Sequence, residues 1–443
     1  MQYSDAINKE LKKQGIEAGH RIHVEKDGQV FEGLLMPKSS GDENTLVIKL
    51  DNGYNAGIAF KGAKIKKLKG EIRKKTAKLE KYRPDAGKKN ITILHTGGTV
   101  ASRVDYETGG VVASVTPEEI LLSVPELSGI ANIKARIVSQ IMSEDMEPEH
   151  WIEIAKVIKE EIDRNCDGII ITHGTDTMHY TSSALSFALQ NLPIPVLLVG
   201  SQRSSDRGSS DAAMNLICAA YFIAKTDFAG IAICMHATPG DEYCFVHPGV
   251  NAKKMHTSRR DAFRSIDVYP TAKVSKNGDV EFFGEYPKKG NLKFSAAFDK
   301  NVAIIKMRPG FSYKELEAYE KLGFRGIVIE GTGLGHAPVN DIDKFTKEHK
   351  KLLEVLQRMA KKGVIIAMTS QCPYGRVNLN VYSTGRELQN AGVISLAMLP
   401  ETAFVKLCWC LGHTKDPKEA KSMLTTNYVG EIVEKIDPRV FLF

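Results

Sequence analysis

The sequence has no apolar stretch long enough to cross a bilayer. Its longest runs, such as 195–200 and 229–235, stop far short of the roughly 18 residues a spanning helix needs. The first eleven residues carry Asp5 and Glu10 and no apolar segment of a leader, so nothing marks the chain for secretion. Seven cysteines include no C-x-x-C pair, which removes the usual zinc and thiol-redox spacings. Cys408 and Cys410, flanking Trp409 in an apolar run, read as buried thiols, and a reducing, cytoplasmic compartment is the expectation. Neither G-x-G-x-x-G nor G-x-x-x-x-G-K-[ST] occurs, so no nucleotide phosphate loop is expected in this chain. His236, His247 and His256 lack the H-x-x-x-H and H-E-x-x-H spacings, so no metal site is expected.

What is present is an ordinary globular composition with an uneven charge. The 443 residues (48.8 kDa) are 42% apolar and 26% charged, enough chain for two to four domains. The net charge of +7 is concentrated: residues 1–90 hold 20 Lys and Arg against 12 Asp and Glu, while the rest of the chain is at −1. Within the first part, residues 61–89 alone carry 13 basic and 3 acidic side chains.

The hydropathy pattern divides the chain. Strand candidates at 21–25, 30–36, 45–50 and 54–60 are separated by Asp27-Gly28 and Asn52-Gly53, both strong hairpin signals. They predict a small SH3-like or Sm-like β-barrel over 1–70, and the lysine-rich stretch beginning at 61 reads as a basic linker, set as a domain boundary at 71–89. From residue 90, strands at 91–95, 137–142, 168–173, 195–201 and 231–235 alternate with helical patterns at 116–122, 149–164, 182–190 and 211–223. In the 149–164 stretch Ile152, Ala155, Ile158 and Ile162 define the expected apolar face. A hairpin around Asn277-Gly278 follows. A second α/β unit has strands at 302–307, 326–330 and 364–369, a long helix at 341–361 and closing helices at 402–411 and 417–425. The fold class is therefore α/β: two parallel-sheet domains, 90–290 and 291–443, preceded by the barrel, with ligands expected at the carboxyl ends of the strands.

Two hydroxyl-bearing turns follow apolar strands. Thr96-Gly97-Gly98-Thr99 has a glycine pair that lets backbone N–H groups approach a ligand, and a plain strand-to-helix turn is the other reading. His173-Gly174-Thr175-Asp176-Thr177-Met178 sets a hydroxyl beside a carboxylate. A threonine hydroxyl is a poor nucleophile until a base takes its proton, and no histidine is placed for that by spacing.

These two turns, together with Val199-Gly200-Ser201-Gln202-Arg203, Asp211-Ala212-Ala213-Met214-Asn215, Tyr382-Ser383-Thr384-Gly385-Arg386-Glu387 and Leu399-Pro400-Glu401-Thr402-Ala403, make residues 90 to about 430 similar to the type I/II L-asparaginase family. With a barrel in front, the chain resembles the branch of that family found as D subunits of archaeal glutamyl-tRNA(Gln) amidotransferases. The resemblance implies a glutaminase paired with a tRNA-binding E subunit, which would hold ATP and Mg and handle Glu-tRNA(Gln). It also implies a homodimer of this chain within a heterotetramer.

By the same resemblance, Thr99 would be the nucleophile and Tyr106 its companion hydroxyl. Thr175, Asp176 and Lys254 would form a Thr–Asp–Lys set, with Lys254 preferred to Lys253 by its spacing to Phe263. Ser143 and Glu144 would bind the α-carboxylate and α-amino group of glutamine, with Asp176 assisting. Alone, Lys254 reads as a solvated lysine and Ser143-Glu144 as a helix-entry cap. Lys253, Arg259 and Arg260 would supply the positive charge that lowers a basic lysine's pKa. In the second glycine-rich loop, Gly331-Thr332-Gly333-Leu334-Gly335-His336, this sequence departs from the family by placing His336 where an amide-type contact is expected, a change that bears on the Asn/Gln preference. The alternatives are a free-standing L-asparaginase with an accessory domain, and a nucleic-acid-binding module on an inactive scaffold. Direct phosphate contact by the lysines of 61–89 is the weaker proposal, since only Tyr82 offers a ring among them.

Overall fold

The computed structural model describes residues 3–36, 43–50, 55–68, 84–98, 102–104, 111–113, 121, 124–203 and 210–442. Thr99, Tyr106 and most of the 71–89 linker and 116–122 helix expectations lie outside these residues.

The first unit is an antiparallel five-stranded sheet. Asp27 and Gly28 both take positive φ (50° and 77°), as a two-residue primed turn requires, and they join Arg21–Lys26 to Gln29–Leu35. Thr45–Leu50 and Asn55–Ala59 extend the sheet on one side. Lys64–Lys67 pairs with Arg21–Lys26 on the other. That last strand corrects the linker reading at its start: in Lys-Ile-Lys-Lys, Ile65 enters the core while Lys64 and Lys66 face out. A helix at Asp5–Lys13, absent from the sequence reading, places Ile7 and Leu11 against Ile22, Val24, Leu46 and Ile48.

The second unit is an eight-stranded sheet. In spatial order its strands are Val280–Phe282, Ala272–Ser275, Tyr243–Pro248, Gly230–His236, Pro195–Val199, Gly168–Thr172, Asn90–Gly97 and Asn132–Ile141. The last five run parallel and the first three antiparallel to their neighbours. The parallel strands are apolar almost throughout, as burial on both faces demands. The helix expected at 149–164 spans Pro148–Asp163; Ala155 and Ile158 are buried as expected and Ile162 packs partly buried on the core, while Trp151 and Ile154 join the buried face, which the expected stripe did not include. Glu161 is buried there because Thr92, Arg136 and Arg164 all reach its carboxylate.

The third unit is a parallel four-stranded sheet: Val302–Lys306, Gly326–Gly331, Ile365–Ser370 and Ile394–Ser395. The long helix expected at 341–361 begins only at Lys350. Before it, Asp343 Oδ1 accepts from Phe345 N and Thr346 N, and Thr346 Oγ1 accepts from Ile342 N. Side chains thus take backbone donors and hold a turn in place of a helix. The second and third units share one apolar cluster in which Trp151, Ala184 and Phe187 meet Val328, Ala403 and Trp409. Through it the helices Met178–Ala188 and Pro400–His413 lock the two sheets together, Phe187 stacking on Trp409 at 5.8 Å.

Candidate active site

Adjacent parallel strands deliver their carboxyl-end loops to one place. Asn90–Gly97 lies between Asn132–Ile141 and Gly168–Thr172, so the turns after residues 97, 141 and 172 converge. A register shift between His95 and Gly97 bends the first strand at its end. Gly97 has φ 132°, and a Cβ there would stand 1.9 Å from Ile141 O; a Cβ on Gly98, at φ 74°, would stand 2.9 Å from Gly174 N. Only glycine fits either position. Gly98 is therefore pressed against the 173–174 turn.

The second turn is held from below. His173 is buried, and Trp151 Nε1 donates to Thr181 Oγ1 (3.2 Å), which meets His173 Nε2 (2.9 Å) while His173 Nδ1 meets Gly174 O (2.7 Å). One direction of donation satisfies all three contacts: Thr181 gives its proton to Nε2 and Nδ1–H donates to the carbonyl. Burial pushes the His173 pKa down to about 4, so the ring is neutral and this tautomer is fixed. Gly174 packs so closely on Ser143 that a Cβ would come within 2.8 Å of its side chain. Thr177 Oγ1 donates to Ser143 O at 2.5 Å.

Several of the expected site residues are thereby assembled from these turns and a distant strand. Thr175 is buried, and Lys254, on the short strand Ala252–Lys254, donates from Nζ to Thr175 Oγ1 at 2.8 Å and to Asp176 Oδ1 at 2.6 Å. The Lys254 side chain is nearly covered (10% exposed), whereas that of Asp176 is open to solvent (66%). Ser143 is buried beneath Gly174, and Glu144 is exposed beside it in the short turn Ser143–Asp145. Ser143 does not cap the following helix: that helix starts at Pro148 after Glu147, whose N–H donates to His150 Nδ1 (3.0 Å). Lys253 points elsewhere and binds Glu401.

The three cations expected to bias Lys254 are each occupied. Lys253 meets Glu401 at 2.5 Å, Arg259 makes a two-pronged contact with Asp261 (2.9 and 2.8 Å), and Arg260 binds Asp241 (2.6 Å) and the Pro239 carbonyl. The correction is electrostatic: these neighbours bring their own carboxylates. His236 meets Asn215 and Asp241, and His247 meets Ser265. His336 packs edge-on against Tyr382, with ring centroids 5.2 Å apart and its Nε2 buried. Among the described residues no group of three or more His, Cys, Asp or Glu is arranged to hold a metal ion, and no helix is long and apolar enough to cross a membrane.

Two features of this surround escaped the sequence. The Trp151–Thr181–His173 chain joins residues from separate helices and a turn, which no local spacing encodes. Glu401 comes from the third unit, 148 positions from its lysine.

Comparison with known proteins places these observations. Residues 90–288 match the asparaginase N-terminal family, residues 301–424 the glutaminase/asparaginase C-terminal domain, and residues 16–68 the GatD N-terminal domain. The D subunit of the glutamyl-tRNA(Gln) amidotransferase of Pyrococcus furiosus is 49% identical over 448 aligned positions, covering 98% of each chain. That of Methanothermobacter thermautotrophicus is 44% identical over 440, again covering 98% of each. Among solved structures, the thermostable L-asparaginase from Thermococcus kodakarensis superposes with a TM-score of 0.68 at 36% identity. All of that chain is covered by 78% of this one, so about a fifth of this chain has no counterpart in it.

Proposed function

Because the chain belongs to the family of glutamyl-tRNA(Gln) amidotransferase D subunits, built on the asparaginase fold, we propose that it is the subunit that hydrolyses glutamine and supplies ammonia. The receiving partner is an E subunit that binds tRNA and converts Glu-tRNA(Gln) to Gln-tRNA(Gln) with ATP and Mg. The assembly is a cytoplasmic heterotetramer around a homodimer of this chain. The observation that carries the catalytic part is the Lys254 ammonium, 2.8 Å from Thr175 Oγ1 and 2.6 Å from Asp176, at the mouth of the parallel sheet.

In this reading Thr99 Oγ attacks the side-chain amide carbon of glutamine, with Tyr106 as companion hydroxyl. The Thr99 proton passes to the Thr175–Lys254 pair, which requires Lys254 to enter the step neutral. Asp176 holds the Lys254 proton in the free site. The substrate's α-ammonium, received by Asp176 and Glu144, competes for that carboxylate and loosens its hold on the lysine. Ser143 takes the α-carboxylate. Backbone N–H groups from the Gly97-Gly98 and Gly174-Thr175 turns serve the developing oxyanion. The C–N bond then breaks and ammonia departs with the transferred proton. Water adds to the acyl-Thr99 ester, releasing glutamate and restoring the hydroxyl.

Replacing the base tests this. Lys254→Gln should lower kcat for glutamine by about 10²–10⁴-fold, and Thr99→Ala should abolish acyl-enzyme formation. Glutaminase activity surviving either change would refute the assignment.

A further inference from the structure

Lys253 and Lys254 are consecutive on one three-residue strand, and each takes a different carboxylate. Lys254 meets Asp176 within its own domain, while Lys253 reaches Glu401 at 2.5 Å in the third unit. Glu401 sits in the first turn of the helix Pro400–His413, where the helix dipole favours a negative charge. Its side chain is only 11% exposed, and among the described residues its buried Oε2 has no hydrogen-bond partner. His179, in the first turn of the helix Met178–Ala188, is also buried, and among the described residues its Nδ1 has no hydrogen-bond partner. A half-satisfied buried carboxylate is costly, and packing alone does not call for one.

The start of the Glu401 helix is also pinned to the turn that leads into the lysines. Thr402 Oγ1 donates to Val250 O at 2.7 Å and meets Ser183 Oγ at 3.2 Å, and Ser182 Oγ donates to Gly249 O at 2.6 Å. Glu401 thus holds Lys253 from a rigid mount that already fixes residues 249–250.

The charges around Lys254 can be enumerated. Asp176 contacts it, and His179 faces it from the helix Met178–Ala188, neutral because burial pushes its pKa down to about 4. Arg264 lies across the strand from Lys253 and is taken up by Asp261 (3.0 Å). Glu330, from the third unit's sheet, faces Lys253 and Glu401, and Tyr180 faces Glu401 and Glu330; burial pushes up the pKa of both. Of the two carboxylates that face Lys253, Glu401 is the one in direct contact with it, at 2.5 Å.

We propose that Glu401 is a positioning residue for glutamine hydrolysis: by binding Lys253 it seats the strand that carries Lys254 and cancels the positive charge beside it, so the third unit helps set when Lys254 acts as a base. This rests on Lys254 being the base, as proposed above.

The test is the pH dependence of glutaminase kcat and KM in the full chain between about pH 6 and 10. Under the proposed mechanism the base acts unprotonated, so activity has a limb that rises with pH. In Glu401→Gln the Lys253 charge loses its contacting carboxylate and disfavours protonated Lys254, so the rising limb should move down by about half to one pH unit. The plateau kcat should fall about tenfold from the looser strand, with KM changed less than about threefold. Glu401→Asp should retain the wild-type limb. The double variant Lys253→Gln/Glu401→Gln removes both charges and should return the limb to its wild-type position while kcat stays low. A limb that does not move in Glu401→Gln, or that stays displaced in the double variant, overturns the proposal. Lys254→Gln in parallel separates the two failures: near-normal activity there refutes the base assignment, whereas loss there with an unmoved limb in Glu401→Gln refutes only the role of Glu401.

Discussion

Among the described residues five histidines are buried with pKa values lowered by that burial, and three of them, His173, His179 and His247, make the folded chain acid-sensitive in a calculable way. His173, His179 and His247 are at most 7% exposed, and burial pushes their pKa values down to about 4, about 4 and about 3. Unfolded, each returns to about 6.5. Between these limits the unfolded chain binds more protons than the folded one, so stability is full above about pH 6.5 and falls as pH drops toward 4. At about pH 5 each histidine costs about 2 kcal/mol, and the three together about 6 kcal/mol, comparable to the whole stability of many domains. Urea unfolding at about pH 7 and about pH 5, followed by tryptophan fluorescence, reads this directly, because Trp151 and Trp409 both lie in the shared core. His247→Gln removes one titrating ring, held by Ser265 at 2.9 Å, and should shrink the loss between about pH 7 and about pH 5 by about 2 kcal/mol whatever its effect at pH 7. An unchanged loss in that variant would refute the neutral-histidine account.

Two further outcomes follow from packing. Lys406 and Glu431 form a fully buried ion pair at 2.6 Å, in which Lys406 also donates to Thr426 O and Glu431 accepts from Tyr428 and Val429 N–H groups. Lys406→Met strands the carboxylate and should cost about 3–5 kcal/mol, read as a drop in Tm, while Lys406→Met/Glu431→Leu should recover much of it; a single-variant loss below about 1 kcal/mol would contradict this. Gly97→Ala must move backbone, since its Cβ would meet Ile141 O, and should abolish glutaminase activity, whereas Gly129→Ala, with open space around its Cβ, should leave activity and Tm within error.

The parallel strands were legible because burial on both faces leaves unbroken apolar runs, as in Gly168–Thr172 and Pro195–Val199. The closing helix Pro417–Thr425 was likewise readable, from its proline start and periodicity. Lys64–Lys67 was hidden by its own composition, since three lysines mask the single inward Ile65 that makes it a strand. The helix Tyr313–Lys321 went unread although Ser312 and Glu315 form a capping box before it. At the site, Thr175-Asp176 was visible as a turn after a strand, and Lys254 was reached only through family spacing. Geometry then separates it from Lys253, because the two adjacent side chains find different carboxylates. Glu401 and the Trp151–Thr181–His173 chain depend on tertiary contacts between distant segments, which sequence periodicity does not carry.

The central claim is that this chain delivers ammonia to a tRNA-dependent amidotransferase and does not act as a free amidohydrolase. Glutamate release from glutamine, measured for the purified chain alone and then with its co-purified partner, ATP, Mg and Glu-tRNA(Gln), tests it most directly. Weak hydrolysis by the chain alone is expected, with strong stimulation by the complete set and glutamine preferred to asparagine. Robust asparagine hydrolysis by the chain alone, unaffected by partner and tRNA, would contradict it.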